Sequence, residues 1–376
     1  MKITIVLPDF SDSGTRRSLL TLAKGFSRRG CMVDLVVTRN EGPYKNFVPP
    51  GVKVINLNVN NVSPKWLQRP LSLRPLVSYF RKNRPDVVLP VFDYFEAVVS
   101  LALQRAFPTK KRPLFVYSIH NDINFLKDFT IPKRFAIRLL KTFVLHRADI
   151  VVAVSRGVAN SWATYFKLPK DRIKVIYNPV DIDKIKELAE EKVDHPWLSP
   201  GHPPLVLGIG RLSSQKDFCT LIEAFAQVVK KRDARLVILG EGEERPKIEK
   251  LVKALDLSSV VDLPGFAQNP FAYLKQASLF VLSSRYEGFA NVLVEALALG
   301  VPIVSTDCPH GPREILENGQ YGLLVPVGDP DALADAMLHT LNSPIPSEIL
   351  RRRAEEFSVD KVVDTWLSLF DQGFNI

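Results

Sequence analysis

The sequence LFVLSSRYEGFANVLVEALALG, at residues 279–300, contains a strand, a loop and a helix in direct succession. Leu279–Leu282 is a short apolar run that predicts a buried strand. A helix is predicted from Ala290 or Asn291 to Leu299, and Gly300 stands where glycine commonly ends a helix. Apolar strands that are each followed by a helix are typical of a parallel sheet covered by helices on both faces.

The same pattern recurs along both halves of the chain. The predicted strands are Ile3–Leu7, Val33–Val37, Val87–Val91, Leu114–Ile119, Ile150–Val154, Leu205–Ile209, Arg235–Leu239, Val260–Leu263, Leu279–Leu282 and Ile303–Ser305. Further helices are predicted at Ser18–Arg29, Arg134–His146, Phe218–Lys231, Arg245–Leu255 and Pro330–Leu341. The pattern starts again near residue 200, so we expect an α/β chain with two doubly wound, Rossmann-like domains.

The chain has 376 residues, more than one hydrophobic core usually organises. Prolines and turn-forming residues at 178–181 and 195–201 mark a linker. We predict an N-terminal domain at 1–180, a C-terminal domain at 181–356, and an amphipathic helix at 357–376 that packs back on the N-terminal domain. The ligand is expected between the domains, beyond the carboxyl ends of the strands.

The composition, 46% hydrophobic and 24% charged, is that of a globular protein. No stretch is long enough to span a membrane, and Met1–Leu7 is too short for a signal peptide. The three cysteines, Cys31, Cys219 and Cys308, form no CxxC pair and predict neither a disulfide framework nor a zinc site. These features together lead us to expect a cytoplasmic protein.

The charge is unevenly distributed along the chain. Residues 1–180 carry 30 Lys and Arg against 11 Asp and Glu, whereas residues 181–376 carry 20 against 29. Such asymmetry indicates an anionic partner for the N-terminal half, either membrane phospholipid, a phosphorylated acceptor or nucleic acid. The sequence shows no helix-turn-helix, zinc or RNA-binding aromatic signature, so we expect no nucleic-acid partner.

Two carboxylates flank the start of the helix predicted at residue 291. Glu287 lies in the preceding loop beside Gly288, and Glu295 lies about one turn into the helix. The free N–H groups of a helix N-terminus suit phosphate, and carboxylates suit the hydroxyl groups of sugars. The alternative is that Glu287 only caps the loop and Glu295 is a surface glutamate.

Two further loops follow predicted strands. Gly208–Asp217 contains Gly210, Arg211 and Lys216, and its two cations can bind a pyrophosphate or can simply be surface residues. Ser11–Arg17 is a small turn that opens a helix, where phosphate or an acceptor can bind, although an ordinary turn has the same composition. His120 follows the strand at Leu114–Ile119, and a lone histidine there is more often structural than catalytic.

The combination of these motifs resembles glycosyltransferase family 4, a family of retaining enzymes with the GT-B fold. Glu287 to Glu295 resembles the E-x7-E signature of the family, and Gly210-Arg211-Leu212 with Lys216 resembles its phosphate-binding loop. Residues 175–181 are similar to its interdomain segment, and residues 319–325 with Asp329 to a late turn and strand. The resemblance spans nearly the whole chain and is strongest over residues 205–341.

The resemblance implies a role for each motif. Arg211 and Lys216 would bind the donor diphosphate, Glu287 the transferred sugar and Glu295 the ribose hydroxyls. The backbone of Gly288, Phe289, Ala290, Asn291 and Val292 would lie along the sugar and phosphates. In the N-terminal domain, His120 would lie near the transferred sugar, and Gly14 and Arg17 match the acceptor-side loop. Ser13 and Arg16 depart from the glycine and glutamate common in that loop.

The implied reaction moves a hexose or N-acetylhexosamine from a nucleotide sugar, with UDP-sugar as the expected donor, and retains the anomeric configuration. No cofactor is expected. No convincing Asp-x-Asp metal site is present, because Asp181 and Asp329 fit helix starts better. Arg211, Lys216 and the helix N-terminus would therefore stabilise the leaving diphosphate without a metal ion.

The basic N-terminal half is predicted to handle the acceptor. Residues 65–74, 110–115 and 133–138 interleave cationic and apolar side chains, as elements that dock on anionic bilayers do. Amphipathic helices that face their own core show the same pattern. Residues 307–315 resemble the members of the family that build lipid-linked and surface polysaccharides. We therefore expect a lipid-linked or glycan acceptor and peripheral association with the inner face of the cell membrane.

Two other functions fit the same architecture. A nucleotide-sugar epimerase would need no acceptor and would release free sugar or UDP. A non-enzymatic sugar-binding protein would bind without turnover.

Overall fold

The computed structural model describes residues 1–11, 14–59, 68–91, 95–108, 112–123, 126, 129–198 and 201–374. The chain divides into two units, Met1–Pro179 with Val359–Ile376 and Val180–Ser358. The predicted limits at 180, 181, 356 and 357 lie within two residues of these boundaries. Each unit contains one parallel sheet, as the alternating strand and helix pattern predicts.

The sheet of the first unit has seven strands in the order β3-β2-β1-β4-β5-β6-β7. The strands are β1 Lys2–Leu7, β2 Met32–Val37, β3 Val52–Asn56, β4 Val87–Pro90, β5 Leu114–Ile119, β6 Ile150–Ala153 and β7 Ile173–Val175. Its helices are α1 Gly14–Arg28, α2 Gln68–Leu71, α3 Leu73–Asn83, α4 Phe95–Ala106, α5 Ile131–Arg147 and α6 Arg156–Phe166. The strand order changes direction between β1 and β4, which pair in parallel.

The sheet of the second unit has six strands in the order β10-β9-β8-β11-β12-β13. The strands are β8 Leu205–Ile209, β9 Arg235–Leu239, β10 Val261–Gly265, β11 Leu279–Leu282, β12 Ile303–Thr306 and β13 Leu323–Val325. The helices are α7 Ile182–Ala189, α8 Phe218–Lys231, α9 Arg245–Ala254, α10 Pro270–Gln276, α11 Asn291–Leu299, α12 Pro312–Ile315, α13 Pro330–Asn342 and α14 Ser347–Ala354. Here the order changes direction between β8 and β11, which also pair in parallel.

The C-terminal helix α15, Val359–Phe374, belongs to the first unit and packs against α1. Gly25 permits the close approach, because a Cβ atom there would lie 2.3 Å from Cγ2 of Val363. Phe370 of α15 lies 5.7 Å from Phe26, measured between ring centroids. At the surface, Arg29 pairs with Asp360 and Asp364. The sequence-predicted helix at 357–376 thus completes the core of the first unit.

Two predicted helix starts are wrong by three or more residues. The helix predicted from Ser18 begins at Gly14, since the polar first turn of α1 hides its periodicity from the sequence. The helix predicted from Arg134 begins at Ile131, where Pro132 occupies one of the first two helical positions, which favour proline. The predicted range of α8 matches the structure. The predicted end of α11 also matches, and the helix begins at Asn291, one of its two predicted starts.

Candidate active site

The strongest sequence motifs lie together at the carboxyl edge of the second sheet. The loop 210–217 follows β8, and the loop 283–290 follows β11, its neighbour in the sheet. Because the strand order changes direction between these two strands, their loops flank the position where open α/β sheets bind ligands. Both loops enter their helices through a non-glycine residue with positive φ, Asp217 at 48° and Ala290 at 64°.

Hydrogen bonds tie the two loops to each other. Nε2 of Gln215 donates to the carbonyl of Tyr286 at 2.8 Å, and the N–H of Arg285 donates to the carbonyl of Gln215 at 2.8 Å. Oγ of Ser283 donates to the carbonyl of Lys216 at 2.8 Å. Arg285 also pairs with Asp217 at 3.0 Å. The side chains of both loops are therefore held in a fixed relation.

Lys216 and Glu287 form an ion pair across these loops. Nζ of Lys216 donates to Oε1 of Glu287 at 2.5 Å, and Oγ of Ser284 donates to the same oxygen at 2.6 Å. Thr306 of β12 fixes Ser284 through a bond to its carbonyl at 2.6 Å. Glu287 is buried, and the described residues offer no hydrogen bond to its second oxygen, Oε2. That oxygen is available to a ligand hydroxyl.

Arg211 supplies a second cation at this edge. Its side chain is exposed and makes no hydrogen bond or ion pair within the described part of the chain. Backbone hydrogen bonds at 2.9 Å, from Gly210 to Leu239 and from Leu212 to Glu241, hold the loop on either side of it. Arg211 is therefore fixed in its backbone and free in its guanidinium group, which suits an anionic ligand.

The start of α11 lies beside these charges. Ala290 precedes the helix without a side-chain cap, and the first turn contains no acidic residue. The ring of Phe289 is buried and packs edge-on against Phe357 at 5.7 Å, so the ring itself faces the interior. A Cβ atom on Gly311 would lie 2.5 Å from the carbonyl oxygen of Phe289. Packing on both sides thus sets the backbone direction at the positive end of the helix.

Glu295 lies in α11 and is only 4% exposed. The alternative interpretation as a surface glutamate is therefore wrong. Gly288, Asn291 and Val292 are half-buried, and Ala290 is buried. The structure thus brings Gly210, Arg211, Lys216, Glu287 and the segment 288–295 to one edge of one sheet.

A test of this packing is the replacement of Gly240 with alanine. The new Cβ atom would lie 1.9 Å from the carbonyl oxygen of Gly210, so the Arg211 loop must move. We expect the free energy of unfolding to fall by roughly 3–5 kcal/mol, because overpacking and the positive φ of 143° both destabilise the variant. Thermal unfolding of Gly240→Ala and Gly328→Ala measures this loss of stability. Gly328 also has positive φ but nothing within 4 Å of its Cβ position, so it should lose only ~1–2 kcal/mol. Equal losses in the two variants would contradict the contact.

In the first unit, His120 directly follows β5. Its Nε2 lies 3.0 Å from Oγ of Ser118, while Nδ1 is buried and has no partner among the described residues. Burial lowers the pKa of His120 to about 4, so the imidazole is neutral at neutral pH. His120 lines a small pocket with Ser18, Asn178 and Trp366 of the same unit. It can therefore offer one nitrogen to a neutral ligand group.

Gly14 and Arg17 lie in the first turn of α1, after β1. The carbonyl of Gly14 accepts a hydrogen bond from Oγ of Ser18 at 3.1 Å. Ser13 lies outside the described residues.

Arg16 is buried and is a structural anchor. It donates to the carbonyl of Asp9 at 3.0 Å and to Oδ1 of Asp9 at 2.7 Å, and Arg39 pairs with the same carboxylate. Burial alone would raise the pKa of Asp9, but hydrogen bonds from Ser11 and the nearby guanidinium groups outweigh burial and lower it. Arg16, which stands where glutamate is common in the loop that this segment resembles, therefore fixes the loop before α1.

The predicted helix-start roles of the acidic pairs are confirmed. Asp181 accepts from the N–H of Lys184 at 3.4 Å, and Asp329 accepts from the N–H of Ala332 at 2.9 Å. Among the residues that the structure describes, no three His, Cys, Asp or Glu side chains are grouped so that they could hold a metal ion.

Sequence reasoning missed Ser284 and Thr306, which position Glu287. Cys308 is also close to this carboxylate, and burial together with that negative charge raises the pKa of its thiol to about 12. The serine pair at 283–284, placed directly after a buried strand, is the signal that could have pointed to Ser284.

Comparison with known proteins gives a consistent result. The model for glycosyltransferase family 4 matches residues 13–184, and the model for glycosyl transferases group 1 matches residues 189–357. An uncharacterised glycosyltransferase of Methanocaldococcus jannaschii is 29% identical, over 88% of this chain and 92% of that protein. An N-acetylgalactosamine-N,N'-diacetylbacillosaminyl-diphospho-undecaprenol 4-alpha-N-acetylgalactosaminyltransferase of Campylobacter jejuni is 31% identical, over 57% of this chain and 56% of that protein.

Among solved structures, Anabaena HepE in complex with UDP and glucose has a TM-score of 0.81 at 19% identity, over 99% of both chains. This likeness concerns the fold. The two family matches adjoin and together span nearly the whole chain. The protein is a glycosyltransferase, and the chain belongs to family 4 with the GT-B fold.

Proposed function

We propose that this enzyme moves a hexose or N-acetylhexosamine from a UDP-sugar to a lipid-linked or surface-polysaccharide acceptor, with retention of configuration. The observation that carries the proposal is the Lys216–Glu287 pair beside the unpaired Arg211, at the start of α11. The Anabaena structure, with UDP and glucose, supports the donor class. The Campylobacter relative, whose name includes diphospho-undecaprenol, supports a lipid-linked acceptor.

The two cations and the helix N-terminus have one role in this proposal. Arg211 and Lys216 bind the oxygens of the donor diphosphate, and the backbone of residues 288–292 lies along the sugar and phosphates. As the sugar leaves, negative charge grows on the diphosphate, and preorganised cations and N–H groups stabilise it. We propose that they do so without a metal ion.

The carboxylates contact hydroxyl groups. Oε2 of Glu287 accepts from the transferred sugar, and Glu295 accepts from the ribose. For the first unit we propose that His120 acts near the transferred sugar and that Gly14 and Arg17 act on the acceptor side. A neutral His120 can hydrogen-bond to a hydroxyl group of a sugar.

The proposed reaction is a substitution on one face of the sugar. The bond between the anomeric carbon and the diphosphate oxygen breaks, and the acceptor oxygen bonds to the same face. The proton of the acceptor hydroxyl passes to the leaving phosphate oxygen. We identify no carboxylate nucleophile of the kind used by retaining hydrolases.

A donor panel tests the proposal. UDP-, GDP- and ADP-sugars are titrated into the enzyme with EDTA present, and slow hydrolysis of each is followed by NMR. We expect tight binding of one UDP-sugar and release of the sugar with its anomeric configuration retained. A strict requirement for Mg²⁺ would overturn metal independence, and preference for a GDP- or ADP-sugar would overturn the donor. Conversion of the donor to an epimer would favour the epimerase.

A further inference from the structure

The helix α5 combines cationic residues with large apolar residues that are exposed. Its sequence, IPKRFAIRLLKTFVLHR, has five Lys or Arg and no acidic residue. Ile131, Phe135 and Leu139 are 78%, 63% and 57% exposed. These three residues recur every four positions and therefore form one apolar stripe along the helix.

The opposite side of α5 fixes the helix to the protein. Ile137, Val144 and Leu145 are buried there, together with Lys141. Lys141 pairs with Glu96 of α4 and donates to the hydroxyl of Tyr117 at 3.0 Å. A buried ion pair is costly to break, so the helix cannot simply rotate its apolar stripe inward. The alternative prediction, that the apolar residues at 133–138 all face their own core, is wrong for Phe135.

Cationic side chains lie beside the exposed stripe. Lys133 and Arg138 are exposed and Arg147 is partly exposed, and none of the three pairs with a carboxylate in the described part of the chain. Lys133 lies over the ring of Phe129, with Nζ 4.1 Å from the centroid, and Arg138 lies over Tyr165 at 5.3 Å. The helix thus presents apolar side chains flanked by uncompensated positive charge.

We propose that α5 is the element by which this enzyme docks on an anionic lipid bilayer, with Ile131, Phe135 and Leu139 inserted between the headgroups. Apolar side chains flanked by cations are typical of helices that lie in the plane of a membrane surface. None of the helices within the described ranges is long and apolar enough to cross a bilayer. A second copy of the chain fits less well, because pairing two such faces would bring like charges together.

Docking on a membrane is useful to this enzyme because a lipid-linked acceptor lies at a membrane. The purpose of α5 therefore rests on the proposed function. The two are tested separately. Vesicle binding is measured without a sugar donor, and donor binding is measured without vesicles. If the protein fails to bind vesicles, the donor-binding result still stands, and the reverse also holds.

The experiment is co-sedimentation of the full chain with vesicles of phosphatidylglycerol and phosphatidylcholine. We expect binding to rise with the anionic lipid fraction and to fall with salt. The double variant Phe135→Ser/Leu139→Ser should bind roughly tenfold or more weakly, because it loses two inserted apolar side chains. Lys133→Glu/Arg138→Glu should weaken binding by a similar factor and flatten its salt dependence.

The matched control is Phe266→Ser, which removes an equally exposed apolar residue, 64% exposed, from the second unit. It should bind vesicles as the unchanged protein does. Thermal unfolding of each variant confirms that the fold survives. Failure of the unchanged protein to bind anionic vesicles at low salt, or full binding by both α5 variants, would overturn the proposal. A dimer in sedimentation velocity that disappears in Phe135→Ser/Leu139→Ser would assign the face to a second copy instead.

Discussion

Replacement of Lys216 with alanine is expected to lower kcat/KM for sugar transfer by roughly 10²–10³-fold. Removal of one preorganised group that stabilises transition-state charge has an effect of this size in other enzymes. Lys216 is positioned by the Gln215 and Ser283 hydrogen bonds that join its loop to the next. Its ammonium group therefore needs little rearrangement to follow charge as it moves to the diphosphate. Initial rates with the donor found by the panel measure the effect.

Three comparison variants make the result specific. Lys250→Ala removes an exposed lysine of α9 and should leave the rate unchanged. Lys216→Arg keeps the charge and should recover part of the rate. Lys216→Ala also leaves the buried Glu287 carboxylate without its cation, which alone could perturb the site. The double variant Lys216→Ala/Glu287→Gln removes that unpaired charge. If the double variant were as fast as Glu287→Gln alone, Lys216 would serve only to neutralise Glu287.

The sequence predicted those elements best whose ends carry strong local signals. The end of α11 was predicted correctly and its start to within one residue, since a buried strand precedes its loop and Gly300 follows its last residue. β3, Val52–Asn56, was missed because its residues are half-buried at the edge of the sheet and interrupted by lysine. α4 was missed because its own apolar residues lie around most of the helix, so that its sequence shows no clear helical period.

The motifs of the site were predictable from sequence, but their contacts were not. Lys216 and Glu287 are 71 residues apart, and they meet because β8 and β11 are neighbours in the sheet. Strand order arises from the packing of the whole unit, so local patterns do not contain it. The same limit applies to Arg16 and Lys141, two cations whose buried carboxylate partners give them structural roles. Composition alone assigns both to the surface.

Glu287→Gln should separate catalysis from binding. The glutamine keeps the size of the side chain but lacks the negative charge. It can still accept the hydrogen bond from Ser284, which is 2.6 Å long in the unchanged protein. Positive charge grows on the sugar as the glycosidic bond breaks, so a carboxylate beside it stabilises the transition state more than the bound donor. We expect kcat to fall by roughly 10²–10³-fold while the dissociation constant of the donor changes less than about threefold.

Glu295→Gln is the informative control because its site of action differs. Glu295 would contact the ribose, which carries the same interactions in the ground state and in the transition state. Its replacement should raise KM by roughly tenfold and leave kcat nearly unchanged, the pattern of lost uniform binding. Steady-state kinetics and donor titration on both variants give the two patterns directly. If Glu287→Gln also weakened donor binding with kcat unchanged, its carboxylate would be a binding group for the sugar and not a stabiliser of the developing charge.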